Sequence, residues 1–157
     1  MGKTHNYFLA GATVSNIITE HRTWSHHLPA EFGVWDITSE ATSLTAESGI
    51  GSGTLTLQAV GSTAAITTIE YESGALADLH RALEAMAPAE AHYAHNDRWG
   101  DGNGFSHVRS ALLKTGVSLP IIDGRLALGT WQQIVVINLD NRDRDREVVG
   151  MVMGSRE

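Results

Sequence analysis

At 157 residues, 42% of them hydrophobic, the chain is long enough to bury one domain core and too apolar to be disordered. The absence of cysteine excludes a disulfide scaffold, a thiolate metal site and a cysteine nucleophile, and it fits a reducing cytoplasm. A formal charge of −7 disfavours nucleic acid as a partner, and no apolar run reaches the ~20 residues needed to span a bilayer.

Residues 1–20 mix small, polar and apolar types without a period and are expected to form an extension, leaving 21–157 as one domain. Arg22 to Leu28 reads as a strand, Pro29 to Gly33 as a turn, and Val34 to Ile37 as a second strand. Thr38 or Ser39 suits a helix N-cap, and Gly49 suits the left-handed stop of a helix running to Glu47. Two β-branched strands follow, Gly53–Val60 and Thr63–Glu70, around a Gly-Ser turn. Leu76, Leu79, Leu83 and Met86 recur at helical spacing and are expected to face the core, with Pro88 closing that helix.

From Ala89 to Gly104 the chain reads as an irregular segment, long enough for a functional loop. Ser106 is expected to cap a short helix, His107 to Lys114, with Val108 and Leu112 inward and Gly116 as the stop. The remainder is β: Val117–Ile122, an Asp123-Gly124 hairpin turn, Trp131–Leu139 and Glu147–Met153, with Pro120 confined to an edge or bulge. Arg142 to Arg146 alternates in sign and reads as a solvated hairpin tip. The class is α+β.

Chemistry concentrates between Tyr93 and His107, where His92, His95, Asn96, Asp97, Asp101, Asn103 and His107 fall among glycines and Trp99. Imidazoles and carboxylates ligate divalent ions and move protons near neutral pH. His95 and His107 are the better-placed histidines for either task, although no spacing in the window matches a strict ligand motif. The start of the Ser106 helix favours an anion, and Arg109 and Arg125 are further cations for a phosphate or carboxylate. For Arg109 the plainer reading is a surface ion pair. Glu70 alone marks where a strand emerges into water. Trp131 in the turn Gly129-Thr130-Trp131-Gln132 suits either the core or a pocket wall. His21, His26 and His27 read as surface, and no nucleotide-loop or serine-triad motif is present.

Several stretches together resemble the YjbQ family, also described as secondary thiamine-phosphate synthase-like proteins. They are Asp36-Ile-Thr38, Ser48-Gly-Ile50, Gly61-Ser-Thr-Ala-Ala-Ile-Thr-Thr-Ile-Glu70, Trp99-Gly-Asp-Gly-Asn-Gly104, Ser106-His-Val-Arg109 and Asp123-Gly-Arg-Leu-Ala-Leu-Gly-Thr-Trp-Gln132. The resemblance implies a sandwich-like α+β fold, a homotrimer with pockets near subunit boundaries, and weak thiamine-phosphate synthase activity on a phosphorylated heterocycle. It raises Glu70, His95, Asp101 and His107 as catalytic residues, with a divalent ion at His95 and His107. Asn103, Ser106, Arg125, Thr130 and Trp131 become substrate contacts. Two family histidines are absent: this chain has Gly61 or Ser62 in place of one and Phe105 in place of the other.

Overall fold

The apolar run Ile134 to Ile137 does not alternate, which is the pattern of a strand covered on both faces. In the computed structural model, which describes residues 17–156, that run forms β7 (Gln133–Asn138). It is the middle strand of a three-stranded antiparallel sheet, between β2 (Gly33–Asp36) and β4 (Ala64–Ile69). Ile134 and Val136 enter one core cluster, Val135 and Ile137 another. Alternate residues of β7 therefore serve two different cores.

The first core lies against a five-stranded antiparallel sheet. Its order is β1 (Ile18–Leu28), β8 (Arg144–Ser155), β3 (Ser52–Val60), β5 (Gly116–Ile122) and β6 (Arg125–Leu126). Leu55, Leu57 and Ala59 of β3 meet Val148 and Val152 of β8, with Ala41 and Leu44 of α1 (Thr38–Ser48) in the same cluster. The second core is smaller. There Leu79 and Leu83 of α2 (Ser73–Met86) and Leu113 of α4 (Gly104–Leu113) pack on the outer face of the small sheet. The result is a sandwich with α1 in the first core and α2 and α4 on the outer face of the small sheet, an α+β fold as the sequence reading expects. No helix among the described residues is long and apolar enough to cross a membrane.

Turn chemistry places the elements. Asp123 and Gly124 take φ of 49° and 73°, the paired positive angles of a mirror-image turn between β5 and β6. Pro120 pairs with Thr54 of β3 and accepts from Ala127 N–H through its carbonyl. In a strand the N and C=O of one residue point to the same side, so the missing N–H falls on the nearly open side, beyond the two-residue β6.

Several expectations need correction. Residues 1–16 of the expected extension lie outside the described residues, but Ile18 to Glu20 belong to β1, paired with Gly154 to Val152 of β8. Met86 is 61% exposed because it falls on the solvent side of α2, whose buried contact is Leu83. The segment after Pro88 contains a short helix, α3 (Ala94–Trp99), closed by Gly100 at φ 69°. It buries no residue, so no apolar period announces it. The next helix, α4, starts at Gly104 with Asn103 as N-cap, and it ends on Lys114 rather than Gly116, which already belongs to β5. Ser106 is thus an interior helix residue and not a cap. Val108 and Leu112 are 40% and 49% exposed, while the inward face carries Phe105, Ser106, Arg109 and Ser110. The phase of α4 is set by polar groups with buried partners: Ser110 Oγ donates to the Ala64 carbonyl of β4 at 2.6 Å.

Candidate functional site

α3 and α4 bring together the residues that the sequence window only lists in order. His95 Nε2 lies 3.3 and 3.4 Å from the two carboxylate oxygens of Asp101, both side chains about one-third exposed. The His95 and His107 rings sit 4.5 Å apart at 54°. Asn103 is buried beneath the pair, and with its amide nitrogen turned toward the acceptors it donates to Asp101 Oδ1 at 3.1 Å and to His95 Nε2 at 3.2 Å. His95 therefore has a partner in either protonation state. With a proton on Nε2 it donates to Asp101, and without one it accepts from Asn103. Such an imidazole can gain and lose a proton without leaving its place.

Local structure holds this loop in shape. Asn96 Oδ1 accepts from Gly104 N–H at 2.9 Å, tying α3 to the start of α4. Gly104 itself is a packing requirement, since a Cβ there would stand 2.5 Å from Tyr93 Cβ. Asn141 Nδ2 donates to the Asp101 carbonyl at 3.0 Å and anchors the loop to the connection after β7. Asn141 Oδ1 and Ser106 Oγ are buried without a hydrogen-bond partner among the described residues.

A second polar group lies on β7, β8 and the turn before β4, and sequence reasoning missed it. Arg146, read as part of a solvated tip, is 5% exposed. β8 begins at Arg144, and alternation along the strand turns every second side chain inward, Arg146 and Val148 among them. Its Nε donates to Asn138 Oδ1 at 3.1 Å and its Nη2 to the Thr63 carbonyl at 2.9 Å. Asp140 Oδ2 accepts from Thr63 Oγ1 and Arg144 Nε, both at 3.0 Å. Burial alone would raise the Asp140 carboxyl. The Thr63 hydroxyl, the bond from Arg144 and the charges of Arg144 and Arg146 outweigh burial and hold it below its ordinary value. Burial pulls the Arg146 guanidinium down, with Asp140 opposing. Arg109 is likewise buried, at 2% exposure. It donates to the Ala87 carbonyl and pairs with Glu84, and it stacks over Phe105, so it holds the end of α2 and is not a surface cation.

The remaining expected residues are elsewhere. Pairing runs from Ala64↔Asn138 at one end of β4 and β7 to Ile69↔Gln133 at the other, five residue steps or roughly 17 Å. The histidine cluster sits near the first end. Glu70 and Trp131 sit at the second, around a depression of about 410 Å³ that also meets Asp36 and Thr130. Arg125 and Thr130 border another depression, of about 520 Å³, against Thr38 and Thr45 of α1. Within one chain, then, Glu70, Arg125, Thr130 and Trp131 do not reach the histidines.

This fold and these motifs have counterparts. Residues 22–155 match the family described as UPF0047 protein YjbQ-like. The chain belongs to the UPF0047 family. A UPF0047 protein of Methanothermobacter thermautotrophicus is 40% identical over 119 residues, covering 76% of this chain and 81% of the relative. The UPF0047 protein YugU of Bacillus subtilis is 32% identical over 106 residues, covering 67% and 78%. Among solved structures, a YbjQ-like protein of unknown function from Sulfolobus solfataricus has a TM-score of 0.84 at 25% identity, covering 89% of this chain and all (100%) of that one. An uncharacterised conserved YjbQ/UPF0047 protein of Clostridium acetobutylicum gives 0.73 at 28%, covering 82% and 97%.

The UPF0047 resemblance raises the question of a divalent ion at His95 and His107, and the donor set does not fit one well. His95 Nε2 already faces Asp101, and among the described residues no three His, Cys, Asp or Glu side chains are disposed to hold an ion. Phe105, which the resemblance sets in place of a family histidine, is buried against Arg109.

Proposed function

We propose that the protein is a small-molecule enzyme of the UPF0047 type, acting on a phosphorylated or anionic heterocyclic substrate by proton transfer through His95 and His107. The observation that carries this reading is the hydrogen-bonded group Asp101–His95–Asn103 with His107 against it. Asp101 orients His95 when Nε2 carries a proton, and Asn103 serves it when Nε2 is bare. His107 stands between that pair and an open depression of about 500 Å³, bordered by Ser62 and Ser110, in which a substrate can sit. The reacting proton is passed at a His107 ring nitrogen, and no metal step is required. The finer reaction implied by the resemblance joins a pyrimidine methyl pyrophosphate to a thiazole phosphate with loss of pyrophosphate, and it is the first to assay.

Assembly as a homotrimer belongs to the same proposal. Its support is the apolar surface of the single chain, with Trp131, Ile122, Met153, Val108 and Leu112 exposed. Contact between copies is also the route by which Glu70, Arg125 and Trp131 of one copy come to serve the histidines of another. Light scattering gives the stoichiometry. Turnover of the two thiamine precursors, or of other phosphorylated heterocycles, is then compared in wild type, Asp101→Asn and His107→Ala. Losses of about 10²-fold or more are expected in both variants. Undiminished turnover in both would sink the assignment. The rival reading, a non-catalytic binder of a small anion, draws on Phe105 standing in the place of a family histidine; tight metabolite binding with no turnover supports it.

A further inference from the structure

Lys114 ends α4 in a conformation that lysine does not favour. Its φ of 76° and ψ of 156° fall in a region occupied almost only by glycine. The backbone is held there from both sides. Its N–H donates to the Ser110 carbonyl at 2.9 Å, closing the last turn, and its carbonyl accepts from Ile66 N–H of β4 at 3.1 Å. A glycine would satisfy both bonds with less strain. Lys114 is nonetheless exposed, and among the described residues its ammonium makes no ion pair or side-chain hydrogen bond. Strain retained at such a position calls for a use of the side chain.

The surroundings supply one. Lys114 borders the open depression between the Gly61–Ser62 turn and the second half of α4, and His107, two helical turns earlier, borders it as well. From below, Arg146 approaches the same turn: a Cβ on Gly61, whose φ is 138°, would lie 3.3 Å from Arg146 Nη1. Nε and Nη2 of Arg146 are engaged by Asn138 and Thr63, and none of those bonds uses Nη1. Arg144 and Arg146 also share the single buried carboxylate of Asp140, so this group carries one positive charge more than it cancels. An acidic chain thus keeps a local excess of positive charge at one depression.

We infer that this depression is an oxyanion subsite, where Lys114 and His107 hold a phosphate or carboxylate group of a small molecule over the Gly61–Ser62 turn, with Arg146 beneath. The inference deepens the functional reading above and rests on it for the link between the bound anion and proton transfer at His107. Relative to the sequence expectation, it moves the anion from Arg125 and the Ser106 helix start to Lys114 and the Gly61 turn. The turn takes glycine at position 61, where φ is 138° and a Cβ would crowd Arg146, and a lysine in the glycine-like slot at the end of α4 supplies the exposed charge.

The test is titration of the full-length protein with inorganic phosphate, and separately with acetate, followed by amide chemical shifts at low ionic strength. Wild type, Lys114→Gly and Lys114→Met are compared. Saturable shifts centred on Ser62, His107 and Lys114 are expected in wild type. Both variants should bind at least about tenfold more weakly, the loss of one charge-assisted contact. Lys114→Gly should also melt at a higher temperature because its backbone strain is gone, whereas Lys114→Met should not. A gain in stability together with a loss of affinity is a result that misfolding cannot produce. Tighter binding of phosphate identifies a phosphate group, and tighter binding of acetate a carboxylate. Wild-type shifts that do not saturate, or equal affinity in all three proteins, would overturn the inference. The two readings fail separately: full turnover in both Asp101→Asn and His107→Ala removes the proton-transfer assignment and leaves the phosphate result with the Lys114 variants standing.

Discussion

The two ends of the three-stranded sheet are built on opposite principles. Near Ala64 and Asn138 polar groups are buried and tied to one another, with Asp140, Arg146, Thr63 and Asn138 in one bonded cluster and the histidine pair close by. Near Ile69 and Gln133 the sheet ends in open ground, where Glu70 is exposed and Trp131 is 72% exposed. The same two strands, β4 and β7, supply both ends. What differs is whether the connecting segments return to cover them. The turn before β4, the connection after β7 and the start of α4 cover the first end. A single chain leaves the second bare.

Removing the bonded character of the first end should cost most. Arg146→Met leaves the Asn138 and Thr63 acceptors and the Asp140 charge inadequately paired, and urea unfolding should record a loss of about 3–5 kcal/mol. Acid probes the same cluster without mutation. The Asp140 carboxyl is held below its ordinary value of 3.8, so its contribution to stability is complete above that pH and is lost as the pH falls through the lower folded value. Arg144→Gln removes its bond and should shrink this acid-dependent part of the unfolding curve. A curve of unchanged shape would mean that Asp140 is not what couples the end to pH.

Gly104→Ala tests whether the histidine cluster depends on the close approach of α3 and α4. Its Cβ collides with Tyr93, so a loss of about 1–3 kcal/mol is expected despite the better helix propensity of alanine. The smallest effect belongs to the open end. Trp131→Ala should change the unfolding free energy of the single chain by no more than about 0.5 kcal/mol. A markedly larger change that also depends on protein concentration would show Trp131 buried between copies, and would sharpen the contrast from open to shared.

The sheets were legible because their signals are local. The unbroken run in β7, the alternation in β3 and the Asp123-Gly124 turn each state their own structure. The window holding His95, Asp101, Asn103 and His107 was legible from its density of polar residues, and so was the helix at its end, but α3 and the start and facing of α4 were not. α3 has no buried side chain to set a period, and α4 turns Arg109 and Ser110 inward and Val108 outward. The inward turn of Arg146 was hidden for a similar reason. Alternating charges look solvated until a partner such as Asn138, eight residues away, is known to lie underneath. Nor did the sequence separate Glu70 and Arg125 from the histidines, because sequence order carries no information about which end of a sheet a residue occupies. Lys114 gave no signal at all, since its peculiarity is a pair of backbone angles.

Asn141 joins the two stories through one amide. Its Nδ2 holds the Asp101 carbonyl, next to Gly102, whose φ of 71° and missing Cβ leave room for it. The loop with the site's carboxylate thus hangs from the connection between β7 and β8 as well as from its own helices. Opening the connection would therefore remove one of the loop's anchors. In amide exchange the residues around Asp101 should then keep the tempo of the β7–β8 connection, a clock set outside the two helices in which the histidines reside.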